Sequence, residues 1–419
     1  MSSCPMSSEP LVDVRDPAIL GDPGGGYDRI LAESPVCRAR LPNGEEGWLI
    51  TRNDDVRAVL TDPAVRNDPT GLPGQGAQTQ EQAFLAMGTP PEHLPYLRAS
   101  LLSLDGAEHT RLRRSISHAF GASRVATLRP RVQQIVDELL DDLDTASGAG
   151  NTPVNLLDEY AYPLAMAVVC ELVGVPEADW ADWWRWGKML VDGDPARITP
   201  TLDEMFSYCH ALVDRRRAEP REDLLSQVVA QDDLTDVDIV ALVVFLVLAG
   251  HETMAHLLSN AALALMNDPV QRELLRTEPE LWPAAVRELV RTDGPVQLAR
   301  LRYAATDIVV GGVRISAGDA VQVVLGAANR DPAQFAHPHE ADVRWQALHG
   351  RREGSVGFGW GPHFCLGVAL AKLEAEVALH SLFDRFPGVS PVTEPAWVPL
   401  PRGRHRVNLD VRLRVTTPG

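Results

Sequence analysis

Five cysteines, Cys4, Cys37, Cys170, Cys209 and Cys365, are scattered through the chain without CxxC spacing, so neither a zinc site nor a disulfide framework is indicated. Four of them read as small packing or surface thiols. Cys365 differs by its neighbourhood. It lies in Phe358-Gly359-Trp360-Gly361-Pro362-His363-Phe364-Cys365-Leu366-Gly367, which runs directly into a helical pattern over 368–374. Gly359 and Gly361 permit a tight turn that aims backbone N–H groups at the sulfur, and a helix starting near Gly367 brings its positive end close. Both effects favour thiolate over thiol.

A second constellation, Ala249-Gly250-His251-Glu252-Thr253, interrupts a helix that is apolar on nearly every side over 239–249. Gly250 weakens that helix, and the Thr253 hydroxyl reaches the carbonyl of residue 249, which bends the helix and opens a groove for a small ligand. Taken alone, the same residues also suit a satisfied polar patch. His109 and Arg113 are four apart and share a helix face, either a solvated basic face or partners for an anion. Glu288 and Arg291, three apart on a helix over 281–291, read by themselves as a surface ion pair of little value.

The elements around these residues are mostly helical. Residues 1–45 are irregular and rich in Pro and Gly, followed by a strand over 47–51 and a helix over 54–60. The stretch 67–100, with one short helix over 79–87, is expected to be a mobile lid over a pocket. Amphipathic helices follow at 125–143 and 159–173. Trp180, Trp183, Trp184 and Trp186 are expected to pack against the core, with substrate contact as the lesser reading. A break over 195–200, with Gly193, Asp194 and Pro195 as a hinge, precedes a helix over 201–217. The longest helix spans 236–266, capped by Thr235 or Asp236. Strands are expected over 308–325, around Gly311-Gly312.

The 419 residues carry 39 basic and 57 acidic side chains, a net charge of -18, and 45% of them are hydrophobic. This composition allows a large core and argues against nucleic acid as a partner. The first twenty residues lack a basic leader and an apolar stretch of signal-peptide length. The longest wholly apolar run, 239–250, falls short of the roughly 20 residues that span a bilayer. A cytoplasmic protein with no membrane partner is expected.

Taken jointly and in order, Ala249-Gly250-His251-Glu252-Thr253, Glu288-x-x-Arg291 and the cysteine decapeptide resemble the cytochrome P-450 haem-thiolate monooxygenases over nearly the whole chain. The resemblance implies a mainly α fold with small β-sheets, in which a long central helix lies over a haem and a cysteine-ligand loop. One domain over 1–419 is expected, β-rich at about 35–65 and 300–330 and in C-terminal strands. Cys365 would be the thiolate ligand of haem b, Phe358, Gly359 and Gly367 would shape its loop, and Ala249 and Gly250 would line the oxygen side. Glu252 and Thr253 would be the acid–alcohol pair that delivers protons to bound dioxygen. His109, Arg113, Arg302 and His363 would hold the propionates, with Arg300 ranked below Arg302. Glu288 and Arg291 would be structural. Where the family usually has an arginine after Asn329-Arg330-Asp331-Pro332, this chain has Glu340 and Ala341, and Arg330 or Arg344 is expected to stand in.

The resemblance further implies insertion of one oxygen atom into a small hydrophobic substrate, with electrons from NAD(P)H through a ferredoxin and its reductase. Bacterial members of this type tailor polyketide, terpenoid or peptide natural products. Oxidative coupling or desaturation without oxygen insertion is the alternative, and a non-catalytic haem protein a further one. Arg111, Arg114, Arg124, Arg129, Arg131 and Lys372 are expected to form the ferredoxin dock. Candidate substrate contacts are the 67–100 and 180–200 segments, Leu246, Ala249, 296–298 and the region of Trp397.

Overall fold

In the computed structural model, residues 11–73, 80–86, 88–148, 152–192, 194–349 and 354–414 are described. The principal helices are α1 (Gly106–Ser117), α2 (Arg129–Ala146), α3 (Tyr162–Val173), α4 (Trp180–Asp192), α5 (Pro195–Ala218), α6 (Asp236–Asn267), α7 (Trp282–Asp293) and α8 (Val368–Arg385). α6 begins at a capping box: the Thr235 hydroxyl accepts the Asp238 N–H at 3.2 Å, and the Asp238 carboxylate accepts the Thr235 N–H at 3.0 Å. By length and composition this helix could cross a membrane, yet most of its apolar stretch is buried inside the protein. It packs most extensively on α3 and also on α5, α7 and α8. Its apolar circumference therefore makes it the axis of the helical layer.

A six-stranded sheet forms the other layer. Its strands are β1 (Val12–Asp13), β2 (Val36–Arg40), β3 (Glu46–Ile50), β4 (Val65–Arg66), β5 (Arg302–Ala304) and β6 (Ala320–Val323), in the order β1-β2-β3-β6-β5-β4. β3 runs parallel to β6 with Trp48 opposite Val321, and β5 runs antiparallel to β6 with Arg302 opposite the same residue. This register sets the place of Arg302. At Gly47 a Cβ would lie 2.6 Å from the Ala320 carbonyl oxygen, so the strands approach this closely only with glycine there. The hairpin Ile308–Val310 and Val313–Ile315 turns at Gly311 and Gly312 as expected, and Val154–Asn155, Ser390–Pro391 and Asp410–Arg412 form a small third sheet.

Several elements differ from the sequence expectation. Residues 1–45, expected to be irregular, hold the helices Pro17–Gly21 and Pro23–Glu33 and the strands β1 and β2, with Asp16 and Asp22 capping the two helices. The helix expected over 125–143 is two, Ala122–Ala126 and α2, because Pro130 suits the first turn of a new helix better than the interior of a continuing one. The break expected over 195–200 is absent. α5 begins at Pro195, where Asp194 caps the Ala196 N–H at 3.0 Å, and continues through Pro200. Burial of Leu202, Met205, Phe206, Cys209 and Leu212 offsets the bond that Pro200 cannot make. Gly193, part of the expected hinge, lies outside the described residues. The 67–100 stretch holds Gln80–Ala86 and an additional helical turn at Leu94–Arg98, and β6 ends at Val323, before a short helix at Leu325–Ala328.

Two clusters fix the interior. Trp183 is fully buried and meets Trp186 edge to face at 5.5 Å and 75°, whereas Trp184 is exposed, so packing is the role of the first two. The Glu288–Arg291 pair is no surface pair, since both side chains are at most 2% exposed. Arg291 forks onto the Glu288 carboxylate at 2.6 and 3.0 Å and donates to the carbonyls of Asn329, Pro338 and Glu340. Neither Arg330 nor Arg344 stands in for the missing arginine: Arg330 holds Asp28 at 2.8 Å, and Arg344 pairs with Glu278. The Gln346 amide takes that place, donating to Glu288 at 3.1 Å, while residue 340 serves through its backbone.

Replacing Glu288 with Leu leaves a buried guanidinium without its counter-charge and is expected to cost ~3–5 kcal/mol. Arg344→Ala removes a half-exposed pair and is expected to cost under ~1 kcal/mol. Denaturant midpoints of the two variants check this, and equal shifts would assign the anchoring to the wrong arginine.

Candidate active site

A cavity of about 340 Å³ lies between α6 and the 357–367 loop. Its lining includes His109 and Arg113 of α1, Ala249, Gly250 and Thr253 of α6, Arg302 of β5, and Phe358, Gly359, His363, Cys365 and Gly367 of the loop. All the residues expected to touch a cofactor thus converge on one space. Glu252 does not line it.

The loop takes its shape from two left-handed glycines, Gly359 at φ 75° and Gly361 at φ 73°. At Gly361 a Cβ would also fall 2.5 Å from the Leu60 carbonyl oxygen, so the turn is seated against the helix Asn53–Thr61. The Cys365 N–H donates to the Phe358 carbonyl at 2.9 Å. Burial pushes the thiol up, while the Gly367 N–H and the Arg113 charge pull it down. The N–H that reaches the sulfur therefore comes from the start of α8 rather than from the glycine turn.

Opposite charges gather on another wall. Arg113 donates to the Phe364 carbonyl at 2.6 Å, and burial lowers its pKa. The His109 and His363 rings lie 4.1 Å apart, and burial, His363 and Arg113 together bring His109 down to about 4. The Nε2 of His109 and the Nε of Arg302 are buried without a hydrogen-bond partner. Arg300 also lines the cavity, donates to Ser103 at 3.2 Å and is brought down to about 10 by burial. Buried cations and unpaired donors of this kind call for an anion.

The sequence reading missed Asp105 and Asn67. His363 Nε2 lies 2.8 Å from the Asn67 amide nitrogen and 3.5 Å from the Asp105 carboxylate. Burial raises the Asp105 carboxyl, but bonds from His363, Asp68 and Asn67 outweigh it and hold it at about 2. An Asp at a helix start signals a cap. Here the side chain makes no cap and turns back to residues 67 and 68 instead.

On α6 the Thr253 hydroxyl donates to the Ala249 carbonyl at 2.8 Å, as expected. Gly250 has a further reason: a Cβ there would meet Val169 of α3 at 2.9 Å. Glu252 turns towards His405, with its carboxylate 3.5 Å from Nδ1, and burial raises its pKa. His405 stacks on His256 at 4.0 Å and 15°, and the Tyr162 hydroxyl meets His256 Nε2 at 3.0 Å.

Of the expected substrate contacts, Leu246, Ala249, Val296 and, from the 67–100 segment, Asn67 line the cavity, with Leu101 and Leu102 beside them. The 180–200 segment contributes none among the described residues, and Trp397 lies under Arg406 at 3.8 Å. The expected basic dock is partly neutralised, since Arg111 pairs with Glu108 and Asp238, Arg129 with Glu376 and Arg131 with Glu171. Among the described residues, Arg114 and Arg124 make no ion pair.

A thiol on one side, apolar walls and an unpaired cationic wall fit a flat apolar cofactor that carries two carboxylates and takes an axial ligand. The sequence model for Cytochrome P-450 matches residues 192–396. Cytochrome P-450 107B1 of Saccharopolyspora erythraea is 38% identical over 385 residues, 91% of each chain. The chain belongs to the cytochrome P-450 family. The mycinamicin IV hydroxylase/epoxidase of Micromonospora griseorubida is 37% identical, over 95% of this chain and 96% of that one. The tirandamycin C-bound P-450 monooxygenase TamI superposes with a TM-score of 0.83 at 34% identity, over 96% of this chain and all of that one. This cytochrome P-450 is accordingly a mainly helical monooxygenase that uses haem b and draws electrons from NAD(P)H through redox partners.

The stacked histidines make stability depend on pH. Burial, then the charges of His405 and His251, bring His256 down to about 2, and burial brings His405 to about 4. Both stay neutral in the folded protein where the unfolded chain, near 6.5, takes up protons, so stability falls as pH drops from 6.5. The two together cost ~3 kcal/mol between pH 6.5 and 5. Urea unfolding at both pH values checks this, and His405→Phe is expected to remove about half of the loss.

Proposed function

We propose that this cytochrome P-450 hydroxylates or epoxidises a small hydrophobic natural product of the polyketide, terpenoid or peptide kind, with electrons from a cytoplasmic ferredoxin and its reductase. The observation that carries the reading is the cavity itself, with Cys365 in one wall, the Thr253 hydroxyl in another and His109, Arg113 and Arg302 gathered at a cationic end. Haem, when bound, supplies the reductive activation of dioxygen. The mycinamicin relative is a hydroxylase and epoxidase, which supports the same reaction class.

Each residue then has a task of its own. Cys365 would hold the haem iron through its thiolate, a form that the Gly367 N–H and the Arg113 charge favour. His109, Arg113, Arg302 and His363 would hold the propionates, and Phe358, Gly359 and Gly367 shape the loop that carries the sulfur. Ala249 and Gly250 keep the α6 wall low beside the reacting space. Thr253 can pass a proton at Oγ1 because its hydroxyl donates to the Ala249 carbonyl and, among the described residues, keeps its acceptor lone pairs free. Glu252, raised by burial, is a proton source one residue away on the same helix. Leu101, Leu246 and Val296 give the substrate an apolar wall. The acid and alcohol together favour a catalyst over a non-catalytic haem protein.

Isotope-labelled dioxygen tests the reading: label in the product supports insertion, and product without label would favour coupling or desaturation. Thr253→Ala is expected to lower product formation by ~10²-fold while leaving haem binding intact. Cys365→Ser is expected to abolish the red-shifted Soret band of the ferrous carbon monoxide complex, and its persistence would overturn the ligand assignment.

A further inference from the structure

Glu252 belongs to a second polar cluster, on the side of α6 away from Cys365. Glu252 and His256 are four apart and share a helix face, and His405 comes to them from the C-terminal segment. One ligand atom from each of the three lies within 4.8 Å of the others. We propose that Glu252, His256 and His405 bind one divalent transition-metal ion, zinc by the nature of its ligands, at a site distinct from the haem.

Four observations carry this. His256 is 3% exposed, and its Nδ1 has no hydrogen-bond partner, while Tyr162 holds its Nε2. A ring fixed at one nitrogen and free at the other is the usual state of a metal-ligating histidine. His405 can lie where it does only because residue 403 is glycine, since a Cβ there would come within 2.6 Å of the ring. Nearby cations are committed elsewhere: Arg404 donates to the Thr292 carbonyl and pairs with Asp293, and Arg406 pairs with Glu394. Finally, two imidazoles and one carboxylate, with solvent in the open positions, are a zinc-type set, whereas calcium and magnesium take oxygen ligands.

The rings now stack nearly parallel, so binding requires one of them to turn until both nitrogens point between the planes. That is a side-chain rotation. Zinc would hold the Glu252 carboxylate where it now lies, facing His405. The consequence for turnover rests on the proton role proposed above for Glu252, but the binding itself does not.

The test uses the haem-loaded enzyme, stripped with chelator and then dialysed against zinc. About one zinc per haem is expected in the wild type by elemental analysis. His405→Gln is expected to keep the thiolate-type carbon monoxide band and to weaken zinc binding by more than the roughly 10–100-fold that loss of an outer partner costs. His256→Gln and Gly403→Ala are expected to weaken it as well. No zinc retained by the wild type, or equal retention by His405→Gln, would overturn the site. Zinc that binds at the expected ratio without slowing product formation would leave the site standing and remove the proton role of Glu252.

Discussion

The half-buried thiol of Cys365 resists ionisation, because burial moves it away from the form that ligates iron. The surrounding structure works against that cost. The Gly367 N–H meets the sulfur at the start of α8, and Arg113 adds its charge while bonding the Phe364 carbonyl, so one guanidinium both shapes the loop and favours the anion. Glu374 of α8 also lines the cavity, but burial raises it to about 8, so it is mostly neutral at pH 7 and adds no like charge beside the thiolate.

The loop is tied to the rest of the molecule through Asn329. Its side-chain oxygen accepts the Val356 N–H at 2.7 Å, and its carbonyl accepts Arg291 at 3.0 Å. The buried Glu288–Arg291 pair therefore steadies the approach to the cysteine loop from a distance. On the loop's outer side, Arg57 lies 4.1 Å over the Trp360 ring, and Gly361 sits against Leu60. A displaced α7 would move the thiolate, which accounts for so much hydrogen bonding around two charged side chains that touch no cofactor.

Much of this was legible in the sequence because the relevant signals are local. The Thr235 cap, the Thr253 bond to residue 249 and the Gly311-Gly312 turn follow from side chains acting on their own backbone neighbourhood. The convergence of His109, Arg113, Arg302 and Cys365 was legible through the order of motifs. What stayed hidden depends on partners far away in sequence. Gln346 in place of an arginine, Asp105 facing His363 and Glu252 facing His405 are choices made by tertiary packing among several possible partners. Pro200 inside α5 and the division at Arg129 show local rules being outweighed in one case by burial and obeyed at an unexpected place in the other.

The cationic wall ties cofactor to stability. His109, Arg113, Arg300 and Arg302 face a cavity whose near carboxylate is Asp105, and burial disfavours the charged form of each of the four. Unpaired donors at His109 and Arg302 add to the strain, because a buried polar atom without a partner loses its water for nothing. A dianion entering there relieves mutual repulsion, pairs the open donors and returns the histidine towards its charged form. Since the unfolded chain has no such site, that gain counts towards folding, and the protein is stabilised by the group it is built to hold. The same arrangement explains why the donors are spread over α1, β5 and the cysteine loop: an anion held by all three joins the helical layer to the sheet.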